Sequence, residues 1–239
     1  MARRAPDRDV LPTVQRLRLR YAKRGRLRFS SHRDFQRAFE RALRRAEIPM
    51  AYSAGFSPHP KISYANAAPT GAASEAEYVE IGVTRELDPV AVRDAVTAAM
   101  PDGLDIMDVV VARTPDLVAR LEASAWLIRL PGADPEEVES AVRRFLERDI
   151  AEVSRVTKNG TRVLDARSAV LALVTGEHEG QPCLHLTLRH DPSPVRPDDV
   201  LTAVADHGPL SRAAVLTRLA QGPLGADLTV GDPLAPDRD

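Results

Sequence analysis

The chain has 239 residues, of which 44% are hydrophobic and 28% charged, with a net charge of −1; this is the composition of a soluble globular protein with room for one large core or two smaller ones. It holds no run of about 18 apolar residues, which excludes a spanning helix, and no apolar stretch follows the basic start MARRAPDRDVLP, so no secretory signal is expected. Cys183 is the only cysteine, which excludes a disulfide framework and an iron–sulfur cluster held by several thiolates of this chain, and fits a reducing cytoplasm.

The near-zero net charge conceals a polarity. Residues 1–64 carry sixteen Lys/Arg against five Asp/Glu, and the remainder carries seventeen against twenty-nine. A basic first part predicts an anionic partner, either phosphate or an acidic protein surface.

Residues 1–12 are charged and proline-bearing and are expected to be disordered. From Val14 apolar and polar residues alternate, with Leu17, Leu19 and Tyr21 on one face and Arg16, Arg18 and Arg20 on the other, the pattern of a half-buried strand. Lys23-Arg24-Gly25 reads as a turn, and the alternation resumes over Arg26–Phe29, which predicts a β-hairpin with an arginine ladder on its outer face. Ser31 is placed as an N-cap with Asp34 in the capping-box position. Phe35, Ala38, Phe39, Ala42, Leu43 and Ala46 then recur at helical spacing, opposite a polar face of Arg33, Arg37, Arg41, Arg44 and Arg45 relieved only by Glu40. Pro49 stops this helix, and the loop Gly55-Phe56-Ser57-Pro58-His59-Pro60-Lys61 follows. Strands are expected at Ile62–Ala65, Glu75–Val83 and Leu104–Ala112. Asp88-Pro89 opens a helix ended by Pro101.

The order then starts again. A strand at Trp126–Leu130 precedes a second Asp-Pro helix start at Asp134-Pro135. Asn159-Gly160 predicts a hairpin between Val153–Val156 and Val163–Leu164. Strands at Ala169–Val174 and Leu184–Leu188, a helix at Pro197–Ala205 and a strand at Val215–Ala220 complete the set. The expectation is an α+β protein of two ferredoxin-like, split βαβ units in tandem. A basic unit would span 13–118 and an acidic, elaborated unit 119–221, with the boundary between Thr114 and Ser124 and a flexible tail over 222–239.

The run Gly25–Ala65 resembles the radical-SAM-linked protein family. Ser31-His32, Arg44-Arg45 and Gly55–Lys61 match its motifs, with Ser57 in place of the usual asparagine, and Asp165-Ala166-Arg167 is a further match; the likeness extends from about Val14 to Ala220. The resemblance implies a partner enzyme of the radical S-adenosylmethionine class. S-adenosylmethionine and the iron–sulfur cluster are then expected on that partner, with no cofactor on this chain.

Two prolines flanking a histidine beside a lysine hold polar groups in a stiff, solvated loop, which marks it as a binding element. Arg37, Arg41, Arg44, Arg45, His59 and Lys61 are the candidate contacts to RNA or a protein partner, with Ser31, His32 and Phe56 shaping the pocket. Phe56 is also open to a bland role as a plug of the core, and the arginines to internal pairing with the acidic second unit. Tyr21, Phe29 and Tyr64 are the nearby aromatics for base stacking. Asp165 and Arg167 read as a strand-end ion pair, and Cys183 as a small core residue. No residues have metal-ligand spacing. The expected function is that of an accessory protein presenting structured RNA to the radical SAM enzyme, in the cytoplasm and without membrane association. One alternative is a metal-independent RNA-processing enzyme using His32 and His59, as in metal-independent ribonucleases on tandem ferredoxin-like folds. The other is a pure protein adaptor.

Overall fold

The computed structural model describes residues 11–157, 160–190, 195–205, 210–211 and 213–238. The segment 1–10 of the expected disordered start, and the turn residues Lys158 and Asn159, therefore lie outside the described residues. The chain divides into two units, the first running to Val118 and taking in Leu234 onward, the second running from Ala119 to Pro233.

In the first unit the alternating segment forms β1 (Gln15–Lys23), followed by α1 (His32–Arg45), β2 (Ile62–Ala65), β3 (Ala73–Val83), α2 (Pro89–Ala99) and β4 (Ile106–Val111). The strands lie in the order β4-β1-β3-β2, antiparallel throughout. Leu17 sits opposite Ile81 and Leu19 opposite Val79, so the apolar rows of β1 and β3 share a face. Against that face pack Phe35, Phe39, Ala42 and Leu43 of α1 and Val92 and Val96 of α2. Tyr21 stacks on Phe35 with ring centroids 4.1 Å apart, and Phe35 lies 5.6 Å from Phe39. Burying each such ring contributes about 1.5–3 kcal/mol, which anchors α1 to the sheet through its apolar stripe and leaves the opposite stripe to solvent.

In the second unit β5 (Ala123–Arg129), α3 (Pro135–Leu146), β6 (Glu152–Thr157), β7 (Gly160–Asp165), α4 (Ala166–Ala169), β8 (Val170–His178), β9 (Gln181–Arg189), α5 (Pro197–Val204) and β10 (Val215–Gly222) follow in turn. The order here is β10-β5-β9-β8, with β6 and β7 paired as a separate two-stranded sheet. Its core holds Trp126, Ile128, Val142, Phe145, Leu184, Leu186 and Val204. Both Asp-Pro helix starts form as the sequence indicates: Asp88 accepts from the N–H groups of Val90 and Ala91, and Asp134 from those of Glu136 and Glu137. The protein is thus α+β, and among the described residues no helix is long and apolar enough to cross a membrane.

Three expectations are corrected. Arg26–Phe29 is not the second strand of a hairpin. Gly25 takes a left-handed φ of 55°, and Gly25–Phe29 coils into a 3-10 turn closed by the Leu27 N–H donating to the Arg24 carbonyl at 3.1 Å. Nor does β1 present an open arginine ladder. The Arg18 side chain is 3% exposed, donating from Nε to Glu80 Oε2 at 2.9 Å and from Nη1 to Asp237 Oδ2 at 2.6 Å. Burial opposes its charge, but the bonds to Glu80 and then Asp237 outweigh that and hold the guanidinium above its ordinary value.

The tail is the third. Leu234 and Asp237 are buried, and Asp237 also accepts from the backbone N–H groups of Arg113 and Thr114 at 3.0 and 2.9 Å. Arg238 pairs with Asp108. The physical reason is that the buried Arg18 guanidinium takes a second carboxylate, and Asp237 supplies it.

Candidate functional site

The site is built on α1. Ser31 Oγ accepts from the Asp34 N–H at 3.2 Å, while Asp34 Oδ2 accepts from the Ser31 N–H at 3.2 Å and from its hydroxyl at 2.6 Å. This reciprocal cap fixes where the helix begins, and so which residues face outward. It also places a carboxylate at the helix N-terminus, held below its ordinary range first by the Ser31 hydroxyl and then by the Ser31 N–H. Ser31 is therefore a capping residue, and the end of α1 is occupied by the protein's own anion.

The polar stripe runs along the outer face. Arg33, Arg37, Arg41, Arg44 and Arg45 are all exposed, and among the described residues none makes an ion pair or a side-chain hydrogen bond within its own unit. The contrast with the strand is direct: Arg16 lies 3.5 Å from Glu80, Arg18 is buried between two carboxylates, and Arg24 is bonded to Glu75 and to Asp105.

The Gly55–Lys61 loop is pinned at its base and open at its tip. Tyr52 bridges Pro60, the Ser53 N–H donates to the His59 carbonyl at 2.8 Å, and the His59 N–H donates to Ser53 Oγ at 3.0 Å. Below this the Lys61 N–H donates to the Ala51 carbonyl at 2.8 Å, and Lys61 Nζ to Thr13 Oγ1 at 3.0 Å. Gly55 has φ 126°, a conformation that side chains rarely adopt, which sets the reversal at the tip. Phe56 is 56% exposed. It does not plug the core, and its face is open to a partner. His59 and Lys61 are exposed as well.

The two histidines serve different neighbourhoods. His32 contacts Gln36 through Nε2 at 3.0 Å and meets the Tyr64 ring edge-on with centroids 5.0 Å apart. His59 is held by its backbone to Ser53, and among the described residues no hydrogen bond joins it to His32. Of the aromatics expected to stack on bases, Tyr21 is buried against Phe35. Tyr64 packs on Phe35 and Phe39, and its hydroxyl is buried without a hydrogen-bond partner among the described residues. Burial, and then the charge of Glu40, push that phenol well up from its ordinary value. Phe29 is exposed beneath the Arg28 guanidinium, 4.6 Å from its centroid.

Sequence reasoning missed Tyr52, which is 40% exposed at the neck of the loop; its bridge to Pro60 is the signal, and that pairing is invisible without the fold. Asp165 and Arg167 are not an ion pair. Asp165 Oδ1 accepts from the Ala151 and Arg167 N–H groups at 2.9 and 3.0 Å, capping α4, and Arg167 Nη1 donates to the Val170 carbonyl at 3.3 Å. Cys183 is buried as expected, with Sγ 3.7 Å from His185 Nε2, and burial pushes its thiol pKa up.

The family described as "Uncharacterized protein conserved in bacteria (DUF2344)" matches residues 16–197. No curated protein matches the chain significantly. Among solved structures, a chain from the crystal structure of a Cbf5-Nop10-Gar1 complex gives a TM-score of 0.46 at 12% identity, over 92% of this chain and 53% of that one. The present chain thus spans about half the length of that relative. An unknown protein from Galdieria sulphuraria gives a TM-score of 0.26 at 13% identity, over 85% of this chain and 96% of that one.

Proposed function

From the premise that this chain belongs to the bacterial DUF2344 family, we propose that it is an accessory protein that binds structured RNA for a radical SAM enzyme. α1 and the Gly55–Lys61 loop form the binding face. Both units are read as ferredoxin-like, since each runs its strands in the split βαβ order with the fourth strand beside the first and the second at the far edge. The resemblance of the Ser31-His32, Arg44-Arg45 and Gly55–Lys61 motifs supports the partner enzyme.

One observation carries the RNA reading: the α1 arginines are exposed and, among the described residues, unpaired within their unit, while Arg16 and Arg18 of β1, in the same basic stretch, pair with Glu80, and Arg18 with Asp237 as well. Unpaired guanidiniums on a rigid helix suit phosphate, which they bind through parallel N–H donors. Arg37, Arg41, Arg44 and Arg45 carry the phosphate contacts, with His59 and Lys61 extending them and Phe56 offering an exposed ring. Four such contacts make binding fall about 10²-fold over a fourfold rise in salt.

The test is retention of total cellular RNA by the purified chain across a salt series. Salt-sensitive retention that Arg41→Glu/Arg44→Glu abolishes is the expected result; no retention, or retention unchanged by the charge reversal, ends the RNA reading. Co-expression with a radical SAM enzyme from the same genome tests the partner. A complex that survives both nuclease and high salt would make the chain a protein adaptor instead.

A further inference from the structure

We infer that the groove between α1 and α2 seats a phosphodiester of the bound RNA between Arg41 and Arg45, an inference that rests on the RNA-binding reading above. Arg41 and Arg45 stand one helical turn apart, so their side chains project from the same stripe. Both line a cavity of about 530 Å³, whose remaining walls are Ala38 of α1, Ala95, Ala98 and Ala99 in the C-terminal half of α2, and Met100 and Pro101 just past its end.

The lining holds two cations and no acid. Two like charges at this spacing repel each other, and an anion placed between them relieves that repulsion. Favourable placement near a helix C-terminus accounts for Arg45 without any ligand. Arg41 stands before the last turn of α1, beyond the reach of that helix's own terminus, and faces the same cavity.

The floor decides what kind of anion fits. Alanine methyls let a ligand backbone approach both helices closely, yet they give no deep pocket for the large apolar anchors by which an amphipathic acidic helix docks. Every cation of α1 is arginine, with no lysine among them, and the arginine fork matches the oxygens of a phosphodiester. A sugar–phosphate backbone laid along the groove satisfies both conditions.

The experiment fills the floor without touching the charge. Ala98 is exposed on α2, and Ala98→Leu keeps a strong helix former there, so circular dichroism and thermal unfolding should be unchanged. With total cellular RNA as probe, Ala98→Leu is expected to lower retention at least tenfold, and Ala95→Leu serves as a second steric variant. Arg41→Ala/Arg45→Ala should lower retention similarly and flatten the dependence of log binding on log salt by about 0.9 for the one phosphate left without its cations. Arg26→Ala/Arg85→Ala, which removes the same charge from exposed positions outside the groove, should change retention less than threefold. If the wild-type chain retains RNA salt-sensitively and both leucine variants retain it equally, the groove is not the seat, although the RNA reading stands. Should the leucine variants lose binding to polyglutamate while keeping RNA, the groove takes an acidic protein segment and the inference is overturned. Failure of the wild-type chain to retain RNA at all ends the underlying reading, and this inference with it.

Discussion

β1 and α1 both belong to the basic stretch and both carry arginine densely, at Arg16, Arg18 and Arg20 on the strand and at Arg33, Arg37, Arg41, Arg44 and Arg45 on the helix. Their surroundings treat them oppositely. The strand arginines face a partner strand that answers them: the Glu80 side chain sits directly across from Arg18 and also meets Arg16, and the Glu75 backbone carbonyl accepts from Arg20 Nε at 2.9 Å. The helix has two acids of its own, and Asp34 is engaged in the N-cap, leaving Glu40 alone among the arginines. A run of positive charge in sequence is therefore not yet a positive surface. What lies across the sheet decides which cations hold the fold and which face outward.

The largest expected effect breaks the strand side. Asp237→Ala leaves the buried Arg18 guanidinium facing an empty position and strips two backbone N–H groups of their acceptor, at a cost of about 3–5 kcal/mol. Urea unfolding measures it, and a variant as stable as wild type would show that the strand arginines do not hold the first unit together. The matching change on the helix separates the two roles. Arg41→Glu/Arg44→Glu should shift stability by no more than about 1 kcal/mol, most of it from placing a negative charge in the last turn of α1, while RNA retention falls at least tenfold. A large loss of stability there would erase the contrast. Ser31→Ala comes next. It removes the acceptor for the Asp34 N–H and loosens the first turn of α1, costing about 1 kcal/mol in the same unfolding experiment.

The comparison also shows what a sequence can reveal. Local signals are legible: the capping box at Ser31, both Asp-Pro helix starts, and the helical stripe from Phe35 to Leu43 each depend on residues within a turn or two of one another. β6 and β7 likewise pair from Thr157 opposite Gly160. The burial of Arg18 is not legible, because one of its partners lies 219 residues away and no periodicity reports on such a pair. The 3-10 turn after Gly25 misleads for a subtler reason. Arg26-Leu27-Arg28-Phe29 alternates as a strand does, yet half-buried Leu27 packs on the core from within the 3-10 turn. At the candidate site the arginine face of α1 follows from helical spacing alone. The groove does not, since its floor comes from α2 and only the packing of two helices creates it.

The second unit repeats the strand's lesson and gives the smallest of the expected effects. Arg218 of β10 is buried, with its guanidinium 5.5 Å from the centroid of Trp126, and beside it lies a hydrogen-bonded chain with a defined direction. The Trp126 indole N–H donates to Ser124 Oγ at 2.8 Å, and His190 donates from Nδ1 to the Leu121 carbonyl at 2.6 Å. In the neutral ring, with Nδ1 carrying the proton, Nε2 accepts the Ser124 hydroxyl at 2.9 Å. The buried surroundings favour that neutral ring. Burial lowers the pKa of His190; the Leu121 carbonyl pulls the other way, and the nearby charge of Arg218 adds to the lowering. The sign of the pH dependence follows. Below the ordinary imidazole value of 6.5 the unfolded chain takes up a proton that the folded chain refuses. The stability held in this network is therefore full above that pH and is lost as pH falls toward the lowered native value. Thermal unfolding of the full chain from pH 8 to pH 5 should show that decline, and His190→Gln should flatten it. A wild-type decline that His190→Gln leaves unchanged would mean that the buried network beside Arg218 does not carry the pH dependence.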